Sequence, residues 1–173
     1  DNKIEHRGKK IRIIADIPDK KSNITLMVNR FRDAFDGGVE IVNLWDLDMQ
    51  GGCLGCLQCA FDNICVYKNK DSFMEFFNTE LRDADITIFA GAIRDRFFSS
   101  RMKMFWDRNF FNGHIPLRID KQVGFIISGP LSQLSNMQDV MQANAEMSGG
   151  NFTGVVTDEC SDSRQIDAML DDL

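Results

Sequence analysis

Four cysteines fall within thirteen residues, in the run CLGCLQCAFDNIC from Cys53 to Cys65. Cys53, Cys56 and Cys59 recur at every third position, and Cys65 follows after five more residues. Thiolates this close repel one another and are costly to bury, so the run suggests a cation or cluster that binds them. Three thiols on one short loop, with a fourth just beyond, suit a cubane iron–sulfur cluster. Gly51, Gly52 and Gly55 are expected to let the backbone take positive φ and turn its N–H groups toward sulfur. Structural zinc normally uses two Cys pairs separated by a dozen or so residues, and the sequence has no second pair. A disulfide framework belongs to small secreted chains, unlike this one of 173 residues with an odd fifth cysteine. A cysteine-rich loop that carries no metal is the remaining alternative.

A second chemistry-bearing segment is DIPDKKSNIT, Asp16–Thr25, between a strand pattern and a helix pattern. Ser22, Asn23 and Thr25 offer hydroxyl and amide donors where the free N–H groups of a helix start point. Such a start receives an anion and contributes about 0.3–1 kcal/mol toward it. Lys20 and Lys21 add Coulombic attraction, although Ser-Asn ahead of a helix is also ordinary capping. Other chemistry has little support. His6 and His114 lie away from any motif, Cys160 is isolated, and no Ser/His/Asp or paired-carboxylate pattern is present.

The elements that must position these residues alternate in type. Lys10–Asp16, Val39–Leu44, Asp85–Gly91, Val123–Ser128 and Phe152–Asp158 read as strands, nearly continuous apolar runs suited to a parallel sheet covered on both faces. Between them run helical stripes: Ile24, Val28, Phe31 and Phe35; then Phe73, Phe77, Leu81 and Ala84. Met102, Phe105, Trp106 and Phe110 form a third stripe, and Leu134, Met137, Met141 and Ala145 a fourth, all expected to face the core. Ser22-Asn23 and Asp71-Ser72 are candidate caps, and Gly149-Gly150 a helix stop. Five alternating strands predict a doubly wound, three-layer α/β sandwich with strand order 2-1-3-4-5. Ligands bind such a sheet at its carboxyl edge, where the loops after strands 1, 3 and 4 meet. The cysteine loop follows strand 2 at the same edge, so cluster and crevice are expected to be neighbours.

A length of 173 residues fits one domain, here with a Cys-rich insertion at 51–66. The apolar share of 43% is ordinary for a globular chain, and no apolar run approaches the roughly eighteen residues of a membrane span. The opening DNKIEHRGKK lacks the apolar stretch of a secretory signal. Because the chain starts at Asp1 and ends in a helical pattern, SRQIDAMLDDL, an excised domain or the ordered part of a longer protein is expected. Net charge is −6, with a local +5 over residues 1–32. An acidic whole argues against nucleic acid as a partner, while the basic start suits a phosphate-bearing ligand. Free thiols point to a reducing cytoplasm.

The order of parts resembles the flavodoxin-like NADPH-dependent FMN reductase superfamily and, within it, the iron–sulfur flavoproteins. The matching pieces are IPDKKSNIT, CLGCLQCAFDNIC, KDSFMEFF and GAIRDRFFSSRMKMFWDR, the last closing with Met102–Arg108, and they span nearly the whole chain. The resemblance implies FMN at the carboxyl edge, its phosphate at Pro18–Thr25 on Pro18, Lys20, Ser22, Asn23 and Thr25. The isoalloxazine would lie against the loops Gly91–Ser99 and Ser128–Ser132, on Ala92, Ile93, Arg94, Asp95, Ser128 and Gly129. A [4Fe–4S] cluster would be ligated by Cys53, Cys56, Cys59 and Cys65. A homodimer or homotetramer is implied, with the cluster near a neighbour's flavin, and electrons would come from NAD(P)H or a ferredoxin-like partner. Ile17, Asp19, Ala92 and Arg94 depart from the family pattern, replacing its usual Ser, Arg, Pro and aromatic residue. Asp107 and Arg108 match it and are read as a structural ion pair. The alternative is a degenerate flavodoxin-like module that has lost FMN and serves as a metal-binding or interaction domain. A flavin-only reductase with an empty cysteine loop lies between these readings.

Overall fold

The computed structural model describes residues 3–173. β1 (Ile11–Ala15) sits between β2 (Val39–Asn43) and β3 (Ile86–Arg94), and Ile11 pairs with both Val39 and Ile86. β5 (Gln122–Ser128) continues the sheet beyond β3, and β6 (Asn151–Thr157) closes it, all in parallel. The order β2-β1-β3-β5-β6 is the predicted one, the five main strands reading 2-1-3-4-5. A two-residue strand, β4 (Phe97–Phe98), is additional and pairs antiparallel with the end of β3.

Alternation along the strands sends neighbouring side chains to opposite faces. Ile13, Ala15, Ile88 and Ile126 pack under α1 (Asn23–Ala34) and α6 (Ser163–Asp172). Ile14, Phe89, Phe125 and Ile127 pack on the other face, under α3 (Phe73–Phe76), α4 (Ser100–Arg108) and α5 (Ser135–Met147), while the single turn α2 (Cys59–Asp62) lies in the cysteine segment. That second face is aromatic: Phe105 meets Phe73 edge-on at 5.4 Å, and Trp106 meets Phe89 at 5.7 Å. Each such ring buried contributes about 1.5–3 kcal/mol, with a smaller addition from the edge-to-face geometry.

Three stripes differ in detail from their sequence reading. The Phe73 stripe forms one α turn and then a π-helical turn, Phe77–Leu81, which still delivers Phe73, Phe77 and Leu81 to the core. Phe110 leaves its stripe and is 52% exposed. The chain tightens into a 3₁₀ turn at Asn109–Asn112, and the changed pitch rotates that ring outward. Leu134 precedes α5 rather than belonging to it, and Ser148 with Gly149 at φ +80° ends that helix.

Candidate functional site

The carboxyl edge of the sheet gathers the loops after β1, β3, β5 and β6, tied together by side chains that end strands. Asp16, directly after β1, is buried; it accepts the Trp45 indole N–H at 2.8 Å and the Ser99 hydroxyl. Ser99 Oγ in turn accepts the Met102 N–H at 3.1 Å and caps α4. Asn43 donates its amide to Ile17 O at 3.2 Å, fastening the start of the 16–22 loop to β2. Within that loop the Thr25 and Ser22 hydroxyls both approach Asp19 O, at 2.6 and 2.9 Å, and each other at 2.9 Å. They brace the loop, while Pro18, Lys20 and Lys21 are exposed. Ser22 is the N-cap of α1 but bonds no first-turn N–H, so those backbone donors carry no side-chain cap.

The other half of the edge is organised by Asp158 and Glu159, just past β6. Asp158 accepts the Asn23 amide at 3.2 Å, the Ser128 hydroxyl at 2.6 Å and the Gly129 N–H at 2.9 Å. Glu159 accepts the Ser132 N–H at 3.0 Å and its hydroxyl at 2.6 Å. One carboxylate thus brings together three of the residues singled out in the sequence, Asn23, Ser128 and Gly129. Asp158 and Glu159 were not legible as site residues, and neither were Asn43 and Trp45. The only available signal was position, since Asp16 and Asp158 are each the first residue beyond a parallel strand.

β3 runs three residues past its expected end at Gly91, so Ala92, Ile93 and Arg94 belong to a hairpin with β4. Asp95 and Arg96 form its two-residue turn with φ +47° and +69°, the left-handed pair that a tight hairpin requires. Between this hairpin and the Pro130–Asn136 segment lies an open cleft of about 630 Å³. Ile93, Pro130 and Leu134 supply apolar wall, and Asp95, Arg96 and Gln133 its polar rim. Ala92 and Arg94, alternating with Ile93, are not part of that wall.

All five cysteines are free. Cys53, Cys56, Cys59 and Cys65 line one small cavity of about 20 Å³, together with Arg108 and the ring of Phe111. That volume holds about one water. Among the described residues, no three His, Cys, Asp or Glu side chains converge closely enough to ligate a single metal ion. Cys53 and Cys56 are exposed, and Cys59 and Cys65 half-buried. Burial pushes the Cys59 thiol up, and the charges of Cys65, Cys53 and Cys56 push it further. Of the three glycines only Gly55 has positive φ, at +63°, and Leu57 takes +57° without being glycine. Gly51 has a different role: a Cβ there would lie 2.7 Å from the Tyr67 hydroxyl. Gly51→Ala is therefore expected to cost about 1–3 kcal/mol, read as a lower midpoint in urea unfolding. An unchanged midpoint would show that Tyr67 can withdraw freely.

Two arginines of α4 draw the cysteine segment down the helix. Arg101 donates to Leu44 O at 2.9 Å, and its Nη1 reaches Met49 O at 3.5 Å. Arg108 donates to Gly51 O at 2.9 Å and to both Asp71 oxygens at 2.8 and 3.1 Å, with both side chains fully buried. The guanidinium lies 4.3 Å from the Tyr67 ring centroid and 4.6 Å from that of Phe73. The expected Asp107–Arg108 pair does not form: Asp107 is bound by Lys103 at 2.6 Å on the surface. One turn of helix separates Lys103 from Asp107, whereas Arg108 points inward at Asp71. α4 descends from the carboxyl edge, with Ser99 capping its start beside Asp16 and Arg108 at its end lining the cysteine cavity. The cavity and the cleft share no lining residue.

No protein-family model matches this sequence, and no curated protein does. Solved structures do. An FMN-dependent NADH-azoreductase from Bacillus anthracis str. Ames Ancestor, in complex with FMN, superposes with a TM-score of 0.67 at 12% identity, covering 94% of each chain. NAD(P)H:quinone oxidoreductase from Methanothermobacter marburgensis gives 0.65 at 12% identity, covering 94% of this chain and 91% of that one. A Streptococcus pneumonia TIGR4 flavodoxin gives 0.52 at 15% identity, covering 95% and 94%. At these identities the likeness is one of fold, and the fold of this chain is flavodoxin-like.

Proposed function

We propose that this chain is an FMN-dependent oxidoreductase, reduced by NAD(P)H or a ferredoxin-like donor, that also holds a [4Fe–4S] cluster on Cys53, Cys56, Cys59 and Cys65. The observation that carries the flavin reading is the cleft at the carboxyl edge, between the 93–96 hairpin that ends β3 and the 130–136 segment after β5. Its volume lies in the usual range for organic ligands, and its lining is mixed, with Ile93, Pro130 and Leu134 apolar and Asp95, Arg96, Gln133, Ser135 and Asn136 polar. The same fold carries FMN in the azoreductase complex. Bound FMN would supply two-electron acceptance and one-electron release. The chain's own work is to seat it: first-turn N–H groups of α1 and Lys20 at the phosphate, Ile93 and Leu134 against the ring, Arg96 at the rim. Charge near a flavin ring favours its anionic reduced form, so Arg96, which lines the cleft, takes the place considered for Arg94.

The cysteine donor set suits a cluster in its chemistry, and all four thiols line one cavity, but no three of them approach closely enough to share a single metal ion as they stand. Seating a cube requires the exposed Cys53–Cys56 arm to move outward, since the cavity as it stands is water-sized. Leu54, Leu57 and Phe110 line it while exposing apolar surface, 65%, 61% and 52% exposed, and Phe61 between Cys59 and Cys65 is 95% exposed. Such a surface supports a homodimer or homotetramer, or a docked redox partner, as the route by which electrons cross between cleft and cluster. No helix among the described residues is long and apolar enough to cross a membrane.

The degenerate-module reading is favoured by one observation. Asp158 already engages Asn23, Ser128 and Gly129, and an anionic phosphate beside Asn23 would face its charge. Asp158→Asn keeps an acceptor for Ser128 and removes the repulsion. FMN affinity is expected to rise about 3–10-fold at low salt, and riboflavin affinity to stay constant. Fluorescence titration reads both; equal gains for the two flavins would place the effect away from the phosphate. The function itself is tested by anaerobic purification with absorbance, flavin extraction, and iron and sulfide assays. Protein that neither retains FMN nor takes it up on reconstitution sinks the oxidoreductase reading.

A further inference from the structure

A groove of about 500 Å³ runs between α1 and α6, on the sheet face opposite the cysteines. Asn23, Leu26, Met27 and Arg30 line it from α1, at the i, i+3, i+4, i+7 spacing of one helix face. Ser163, Ile166, Asp167 and Leu170 repeat that spacing on α6, so two matching faces oppose each other and still leave space between them. One end is drawn in. Leu173 Cδ1 lies 3.1 Å from where a Cβ of Gly124 would stand and 3.8 Å from that of Gly154, so these glycines admit the end of α6 onto the sheet. Arg30 clamps α6 farther along, donating to Asp171 at 2.9 and 3.0 Å and lying 3.3 Å from Asp167 Oδ1. At the carboxyl edge the wall is the segment leading from β6 into α6, with Asp158 at its start.

Solvent reaches this lining. Leu26 is 59% exposed and Ile166 half-buried, while Met27 and Leu170 are almost wholly covered. Apolar surface held open to water is stabilised when a ligand covers it. The charge around the groove has one sign. Asp158 is met by neutral donors, those of Asn23, Ser128 and Gly129. Arg30 is shared between Asp167 and Asp171, whose side chains are each 49% exposed. Three carboxylates against one guanidinium leave a surplus of −2, and Lys20 and Lys21 stand outside the lining.

We propose that this groove binds a small amphipathic cation, an amine whose apolar body lies against Leu26 and Ile166 and whose ammonium lies in the field of Asp158 and Asp167. The apolar walls supply the burial, and the unbalanced carboxylates select the sign of the charge. The space equals that of about sixteen waters, within the range of small-molecule sites. A partner helix is too large: two turns, about 10 Å across, fill roughly 850 Å³. The groove does not depend on the flavin reading, because its lining shares no residue with the cleft between the 93–96 hairpin and the 130–136 segment.

Calorimetry and thermal melts of the protein as purified, at pH 7 and low salt, test it with three probes of one shape: 2-phenylethylamine, 2-phenylethanol and phenylacetate. The expected result is saturable binding of one amine per chain with a rise in Tm, the alcohol weaker and the carboxylate weakest. Asp167→Asn removes one carboxylate from the rim and should weaken the amine about 3–10-fold, with the alcohol changed less than twofold. Ile166→Trp fills the groove and should abolish binding of amine and alcohol alike. Should that variant not fold, Leu26→Lys, at an exposed position that tolerates substitution, should weaken the amine about tenfold and the alcohol less. Absence of saturable amine binding overturns the proposal, and so does phenylacetate binding as tightly as the amine. Equal amine affinity in wild type, Asp167→Asn and Leu26→Lys overturns it too. None of these outcomes alters the flavin content found by extraction, so the two readings fail separately.

Discussion

Arg108→Met is expected to destabilise the fold by about 3–5 kcal/mol at pH 7, because it leaves Asp71 buried without its counter-ion. The same substitution removes the donor that holds Gly51 O and the cation between the Tyr67 and Phe73 rings. The pH dependence distinguishes the charge effect from lost packing. Burial opposes ionisation of Asp71, but the Arg108 hydrogen bonds and charge outweigh it and hold the carboxyl below its ordinary value. A depressed carboxyl contributes stability that is fully present above its unfolded pKa, about 3.9, and is lost as pH falls through the lower folded value. In the variant the Gln50 and Phe73 N–H donors remain but the guanidinium does not, so burial weighs more heavily, the Asp71 pKa rises relative to wild type, and low pH becomes a relief. The deficit between wild type and variant should therefore be largest near neutrality and shrink as pH drops below about 4. Urea unfolding at pH 7, 5, 4 and 3 measures it. A pH-independent deficit would assign the loss to packing alone, and a deficit under about 1 kcal/mol would remove the ion pair from any structural role.

The second large effect concerns the cysteines. Cys56→Ala should reduce the iron of anaerobically purified protein from about four per chain to nearly none, while FMN affinity stays within about twofold. The reason is the separation along α4. Ser99 caps the helix at the carboxyl edge beside Asp16, whereas Arg108 at the other end lines the cysteine cavity. Removing one exposed thiol perturbs the lower site and leaves the 93–96 and 130–136 walls untouched. Parallel loss of iron and flavin would mean that the two sites are one structural unit. Iron-free wild-type protein that resists reconstitution with iron and sulfide would end the cluster reading, and the flavin reading would stand or fall separately.

Much of the architecture was legible from residue patterns. Short apolar runs such as IRIIA and VGFIIS can be buried on both faces only in a parallel sheet, and their alternation with amphipathic stripes leaves little freedom in strand order. Local chemistry was legible where it depends on contiguous residues: the helix start at Ser22-Asn23, the stop at Gly149, the four cysteines meeting at one cavity. The 3₁₀ turn that exposes Phe110 and the hairpin that reassigns the cleft wall from Arg94 to Arg96 were not, because helix pitch and strand length answer to packing as well as to local preference.

The partners of charged groups were beyond the reach of sequence. Asp71 and Arg108 are 37 residues apart, Asp158 and Asn23 are 135 apart, and Arg118 has no counter-ion among the described residues. Hydrogen-bond and ion-pair energies depend on separations of a few ångströms and on burial, and neither is encoded in spacing along the chain. The sequence by itself determined a flavodoxin-order sheet and placed four cysteines around one small cavity, because periodicity and short-range spacing carry that information. Tertiary packing alone decided that Arg108 at the end of α4 lines the thiol cavity, that Asp158 gathers Asn23, Ser128 and Gly129, and that Arg118 is buried with no carboxylate partner among the described residues.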